Sequence, residues 1–226
     1  MIEFNLTPFE ARVLGVLAEK QFLTPDVYPL SLNAAVAGCN QLSNRDPVMS
    51  LTEATVEACL KRLQENHLAQ TYYPAGSRVA KFQHTLGDAF SPFDEQRLAL
   101  LTLLLIRGPQ TPGELRGRSG RMYPFASVES VDRTLSELAE LDPPLVKQLP
   151  RAPGTKEARW AHLLSGEIAT GRMDIAAGMA SGTYGGGIVE GAAEDRVARL
   201  EQRVVELERQ LGALVDELER FRKQFE

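Results

Sequence analysis

The sequence predicts an α-rich α+β fold: two similar units of three helices and a small β-hairpin, then a glycine-rich linker and a C-terminal coiled-coil helix. Three observations carry this prediction. Landmarks in residues 7–84 return in the same order in residues 91–162. Gly171, Gly178, Gly182, Gly185, Gly186, Gly187 and Gly191 crowd one segment, and apolar residues then repeat in steps of three and four from Val197 to Phe225. An ordered series of matches across ~80 residues is the mark of duplication. At 226 residues, two compact units plus an extended element also suit the chain better than a single core.

Taken in order, Thr7-Pro8-Phe9-Glu10 opens the first unit: a hydroxyl to cap a helix, a proline where no N–H is needed, and an acid in the positive first turn. Ser91-Pro92-Phe93-Asp94 repeats the arrangement. Behind them, Val13, Leu14, Val16 and Leu17 match Leu100, Leu101, Leu103 and Leu104 as buried helical rows. The first unit thus reads as helices 7–20, 31–41 and 50–66, the last begun by a capping box of Ser50 with Glu53, and strands 68–73 and 78–84. The turn Pro74-Ala75-Gly76-Ser77 joins those strands. The second unit reads as helices 91–107, 111–118 and 127–141, then strands near 145–149 and 158–163 around Arg151-Ala152-Pro153-Gly154. Val56, Leu60 and Leu63 share their spacing with Val131, Leu135 and Leu138, and Ala80-Lys81-Phe82-Gln83-His84 matches Ala158-Arg159-Trp160-Ala161-His162. Three helices followed by a hairpin is the winged-helix order, in which the third helix can enter a major groove and the hairpin flanks it. The expected boundaries are 1–90 and 91–165 for two winged-helix domains, 166–193 for the linker and 194–226 for the coiled coil.

The stretch Glu19-Lys20, then Thr24-Pro25-Asp26-Val27-Tyr28-Pro29-Leu30-Ser31-Leu32-Asn33, Cys39-Asn40-Gln41 and Ser43-Asn44-Arg45-Asp46-Pro47-Val48 resembles the YceH-like bacterial proteins, a family of uncharacterised function. The resemblance covers residues 5–165 and implies paired winged-helix domains; it implies no activity and no catalytic residues. On the residues themselves, 28–33 and 44–46 read as turn chemistry, with Arg45 paired to Asp46, or else as a partner-binding surface.

Val197, Leu200, Val204, Leu207, Leu211, Leu214, Leu218, Phe221 and Phe225 form an unbroken heptad stripe, expected to dimerise the chain as a parallel two-stranded coil. Arg196 to Glu201, Arg203 to Glu208 and Glu217 to Arg222 are the flanking pairs that favour this orientation. The competing reading folds this helix back onto its own domains. Gly185-Gly186-Gly187 lacks both a following Lys-Ser/Thr and a preceding strand, so it reads as linker and not as a phosphate loop.

The net charge of −5 opposes nucleic-acid binding until its distribution is considered. Lys plus Arg against Asp plus Glu count 7 against 9 in residues 1–90, 10 against 9 in 91–165, and 8 against 12 in 166–226. Acidity therefore concentrates in the tail. Candidate contacts to double-stranded DNA are Lys61, Arg62, Arg78 and Lys81 in the first unit, and Arg116, Arg118, Arg121, Arg151, Lys156 and Arg159 in the second. Glu53 and Glu57, and Glu129 and Asp132, oppose this by placing acid on the leading turns of both third helices. Two readings stay open: a DNA-associated or transcription-related protein, and a scaffold that binds another protein through the same fold.

No enzyme, cofactor or metal site is expected. His67, His84, His162, Cys39 and Cys59 show no ligand spacing, and no Gly-x-Ser-x-Gly elbow occurs. The two cysteines read as reduced, buried thiols. The longest apolar run, 98–106, is too short for a membrane span, and Met1-Ile2-Glu3-Phe4 does not begin a secretory signal, so a cytoplasmic location is expected.

Overall fold

The computed structural model describes residues 5–166, apart from 75, 77, 78, 91, 92, 152, 153 and 156. These residues belong to one compact unit, Met1–Thr170, of mixed α and β structure, with seven α-helices and two small antiparallel sheets among them. The linker and coiled-coil readings lie outside the described residues.

Helix α1 (Pro8–Leu23) begins as its sequence dictates. The Thr7 hydroxyl accepts the Glu10 N–H, the Glu10 carboxylate accepts the Thr7 N–H, and Pro8 fills the first turn. Two donors that a helix start leaves orphaned are thereby satisfied. From Glu10 to Glu19 every residue of α1 is buried, and in α5 (Glu95–Arg107) the same holds from Leu98 to Ile106. Helices covered on all sides must occupy the centre of this unit. They pack on each other, and Gly15 permits the approach: a Cβ there would lie 2.6 Å from Ile106 Cγ2 and 2.9 Å from Leu105 Cβ. The core is therefore continuous across both repeats.

Around α1 are β1 (Leu30–Ser31), α2 (Leu32–Cys39), α3 (Glu53–Glu65), β2 (Ala69–Tyr72) and β3 (Lys81–His84), with sheet order β1-β3-β2. A short helix α4 (Leu86–Ala89) leads to α5, followed by α6 (Pro112–Ser119), α7 (Val128–Ala139), β4 (Val146–Gln148) and β5 (Trp160–His162). The rows Val56, Leu60, Leu63 and Val131, Leu135, Leu138 are all buried, as their matched spacing requires. The repeat extends further than its sequence suggests. Leu30 pairs with Phe82 just before Ser31 caps α2, and Gln110 bridges Trp160 just before Thr111 caps α6.

Two helix starts differ from expectation. The third helix begins at Glu53 under a Thr52 cap, not at Ser50, because the Asn40 side chain bonds both the Leu51 N–H (2.7 Å) and the Leu51 carbonyl (2.8 Å) and holds that residue extended. Helix α5 begins at Glu95, where Asp94 accepts the Arg97 N–H at 2.9 Å; Ser91 and Pro92 lie outside the described residues.

Candidate nucleic-acid interface

Helix α6 starts with a Thr111–Glu114 capping box and Pro112 in its first turn, and buries Pro112, Leu115 and Ser119. That face leaves Arg116 and Arg118 exposed in the last turn, where the helix dipole favours cations. Residues 107–127 contain four arginines and one acid, Glu114. The structure sends the arginines in two directions. Arg118 turns toward α5, donating to Gln110 Oε1 at 2.6 Å and lying 3.7 Å from Glu114. Arg159, just before β5, meets the same carboxylate at 3.0 Å and donates to the Pro109 carbonyl at 2.8 Å. Arg107 at the end of α5 donates to Asn44 Oδ1; burial, then the nearby charges of Arg118 and Arg45, weaken its hold on its proton, while Asp46 and Glu19 oppose them. One carboxylate, Glu114, thus serves both Arg118 and Arg159, and Arg107 has a neutral partner.

Arg116 instead faces the turn before α7 and donates to the Ala126 carbonyl at 3.0 Å. Arg121 is exposed in that turn, and Arg151 is exposed beyond β4. Lys156 and Arg78 lie outside the described residues. In the first repeat, Lys61 is exposed on α3, but Arg62 is committed to the buried Glu10 carboxylate at 2.9 Å. Lys81 is half-buried on β3 and has no ion-pair partner among the described residues. Glu53, Glu57 and Glu129 are exposed and Asp132 is half-buried, so the acids do line the leading turns of α3 and α7. The Ser127 side chain holds the Glu129 carboxyl below its usual range, with Arg116 adding to the effect.

Behind this surface lies a polar network whose geometry the sequence reading missed. Arg12, 1% exposed, donates to the carbonyls of Cys39 (3.3 Å), Pro47 (2.7 Å) and Ile106 (3.3 Å). Arg45, expected to pair with Asp46, is instead buried against Glu19 in a two-pronged bond of 2.9 and 2.6 Å, and also donates to Gly38 and Gln41. Asp46 is exposed, and its N–H bonds the Ile106 carbonyl at 3.1 Å. Residues 44–47 therefore clasp the C-terminal end of α5. The two cysteines are free and buried, and burial pushes the Cys39 thiol up to about 12, away from thiolate chemistry. His84 and His162 are held down to about 4 by burial. A cavity of about 300 Å³ is lined by Gln21, Tyr28, Gln83, His84 and Asp88 among others. Among the described residues no group of three or more His, Cys, Asp or Glu could hold a metal, and no helix is long and apolar enough to cross a membrane.

Comparison with known proteins adds kinship. A family model described as a protein of unknown function, DUF480, matches residues 6–155. A UPF0502 protein of Azoarcus sp. (strain BH72) is 49% identical over 225 residues, which cover 99% of this chain and 95% of the relative. One of Geobacter sulfurreducens is 46% identical over 226 residues, the whole of both chains, and one of Herminiimonas arsenicoxydans is 47% identical over 215 residues, 95% of this chain and 88% of that one.

Proposed function

The chain belongs to the DUF480 family, and from the chemistry of its candidate site we propose that it is a non-enzymatic, DNA-associated protein built from tandem winged-helix units. The observation that carries this reading is the pair of exposed arginines, Arg116 at the end of α6 and Arg121 in the turn that follows, in a segment where Arg118 and Arg159 share one carboxylate, Glu114, among the described residues. Excess positive charge next to a helix-turn-helix is suited to phosphate oxygens, which position a protein on a duplex without reading its bases. The acids on α3 and α7 agree with this limited role, since they disfavour base contacts from those helices. Residues 194–226 then double the sites by forming a parallel coiled-coil homodimer, which raises avidity for an extended polyanion.

The test uses the full-length protein and a fluorescent 20-base-pair duplex. Arg116→Ala/Arg121→Ala is the informative variant, because Arg118 and Arg159 are tied to Glu114, whereas Arg121 is exposed and Arg116 makes one exposed bond, to the Ala126 carbonyl. The expected result is a loss of roughly tenfold or more in affinity in a protein that still unfolds cooperatively. Equal binding by the variant removes the arginine face from consideration, and absence of binding by the wild type removes DNA. A second reading, docking of a protein partner, is favoured by Leu42 and Val48, 85% and 53% exposed in the loop between α2 and α3. It predicts that Leu42→Ser abolishes partner capture while leaving nucleic-acid affinity untouched.

A further inference from the structure

The hairpin of the first repeat has two chemically distinct faces. Its register pairs Gln70 with Gln83 and Tyr72 with Lys81, and Thr71 with Phe82 in between. Directly opposed residues share a face and neighbours along a strand alternate, so Gln70, Tyr72, Lys81 and Gln83 form one face. Ala69, Thr71, Phe82 and His84 form the other. The second face is the inner one: Ala69 is 5% exposed, Phe82 packs on the core, and Gln64 of α3 bonds the Thr71 hydroxyl at 2.6 Å. The first face is directed outward and carries an aromatic ring, an ammonium and two amides. Tyr72 is 47% exposed, and Tyr73 and Val79 beyond it are 65% and 61% exposed. From Leu68 to Gly87 the sequence contains Arg78 and Lys81 but no aspartate or glutamate; Asp88 follows and lines a cavity with Gln83, whereas Tyr72 and Lys81 form the next cross-strand pair on that face.

The geometry points to this face as a platform for unpaired polynucleotide, DNA or RNA, with a base stacked on Tyr72 and its phosphate beside Lys81. The proposal rests on the reading of the chain as nucleic-acid-associated and adds a second surface with a different preference. Charge selects the occupant: an acid-free, cationic hairpin complements a polyanion. Ring exposure selects its strandedness, because a base already stacked inside a duplex offers no face to a tyrosine. The exposed amide of Gln70 is then available to base edges, which are likewise free only in a single strand. Duplex docking on this repeat is disfavoured by Glu53 and Glu57, exposed on the leading turn of α3.

The experiment measures full-length protein with a 20-nucleotide oligo(dT), a 20-nucleotide oligo(rU) and a 20-base-pair duplex, for the wild type and for Tyr72→Ala, Tyr72→Phe and Lys81→Ala. The expected pattern is a roughly tenfold loss of single-strand affinity in Tyr72→Ala, near-wild-type affinity in Tyr72→Phe, a loss in Lys81→Ala that shrinks as salt rises, and duplex affinity within twofold throughout. The two oligomers separate DNA from RNA as the source of the strand. Single-strand affinity unchanged within twofold in Tyr72→Ala overturns the platform and leaves the exposed ring to a protein partner. The arginine face stands or falls separately, on duplex binding and its Arg116→Ala/Arg121→Ala variant.

Discussion

At the scale of single residues, the least expected feature is the number of charges inside the molecule. Glu10, Arg12, Glu19 and Arg45 are each 5% exposed or less, and each has partners: Arg62 for Glu10, three carbonyls for Arg12, and Arg45 for Glu19. A buried pair costs more when halved than when removed whole. Arg45→Met, which strands the Glu19 carboxylate, is expected to cost about 3–5 kcal/mol in denaturant unfolding, and Glu19→Leu/Arg45→Met to recover much of it. Equal costs for the single and double variants would show that the stranded Glu19 carboxylate carries no penalty of its own. Titration gives a second prediction. His84 and His162 are held down to about 4, below the ordinary value of about 6.5, so between those limits the unfolded chain binds protons that the folded chain refuses. Their contribution to stability is thus full above pH 6.5 and lost as pH falls toward 4. Thermal midpoints measured from pH 7 to 4.5 are expected to drop less steeply in His162→Leu than in the wild type. The sequence placed Arg45 in the right turn but assigned it the wrong partner, because adjacency along the chain favours Asp46 whereas the approach of α1 supplies Glu19, 26 residues away.

At the scale of elements, most of the fold was legible, since the signals are local. Thr7, Ser31, Thr111 and Ser127 all cap helices, and the matched apolar rows are buried as their spacing demands. What the sequence did not reveal depended on distant groups. The Asn40 side chain delays the start of α3, and the two-residue strand at Leu30 and the single bridge at Gln110 are too short to leave a pattern. Glycine shows the same division. Gly15→Ala would drive a methyl group into Ile106 and Leu105 and is expected to cost about 1–3 kcal/mol, whereas Gly117 on α6 has no atom within 4 Å of an added Cβ. Gly117→Ala is expected to stabilise by up to about 1 kcal/mol through helix propensity. Chemical denaturation of the two variants checks both signs.

At the scale of the whole molecule, the net charge of −5 conceals an uneven distribution: the acid-free hairpin and the arginine-rich segment 107–127 sit in a chain whose last 61 residues hold 12 acids and 8 bases. The candidate arginines were legible as residue types in the sequence, but their sorting was not. Only the fold shows that Arg62, Arg118 and Arg159 bond to groups within the protein while Arg121 faces solvent. The proposed dimerisation adds a prediction at this scale. Sedimentation equilibrium of the full-length chain is expected to give twice the 24.9 kDa chain mass, and Leu207→Asp/Leu211→Asp to restore the monomer. A wild-type monomer would return the heptad stripe to an intramolecular role.

The most direct measurement of the central claim is the affinity of the full-length protein for a 20-base-pair duplex between 50 and 200 mM salt. Release of counterions from contacted phosphates makes log K fall linearly with log salt, with a slope of about −0.9 for each phosphate neutralised. With Arg116 and Arg121 among the contacts, the predicted slope is steeper than about −2, and Arg116→Ala/Arg121→Ala flattens it by about 2. A slope near zero, or no binding at 50 mM salt, would contradict phosphate recognition by the second repeat.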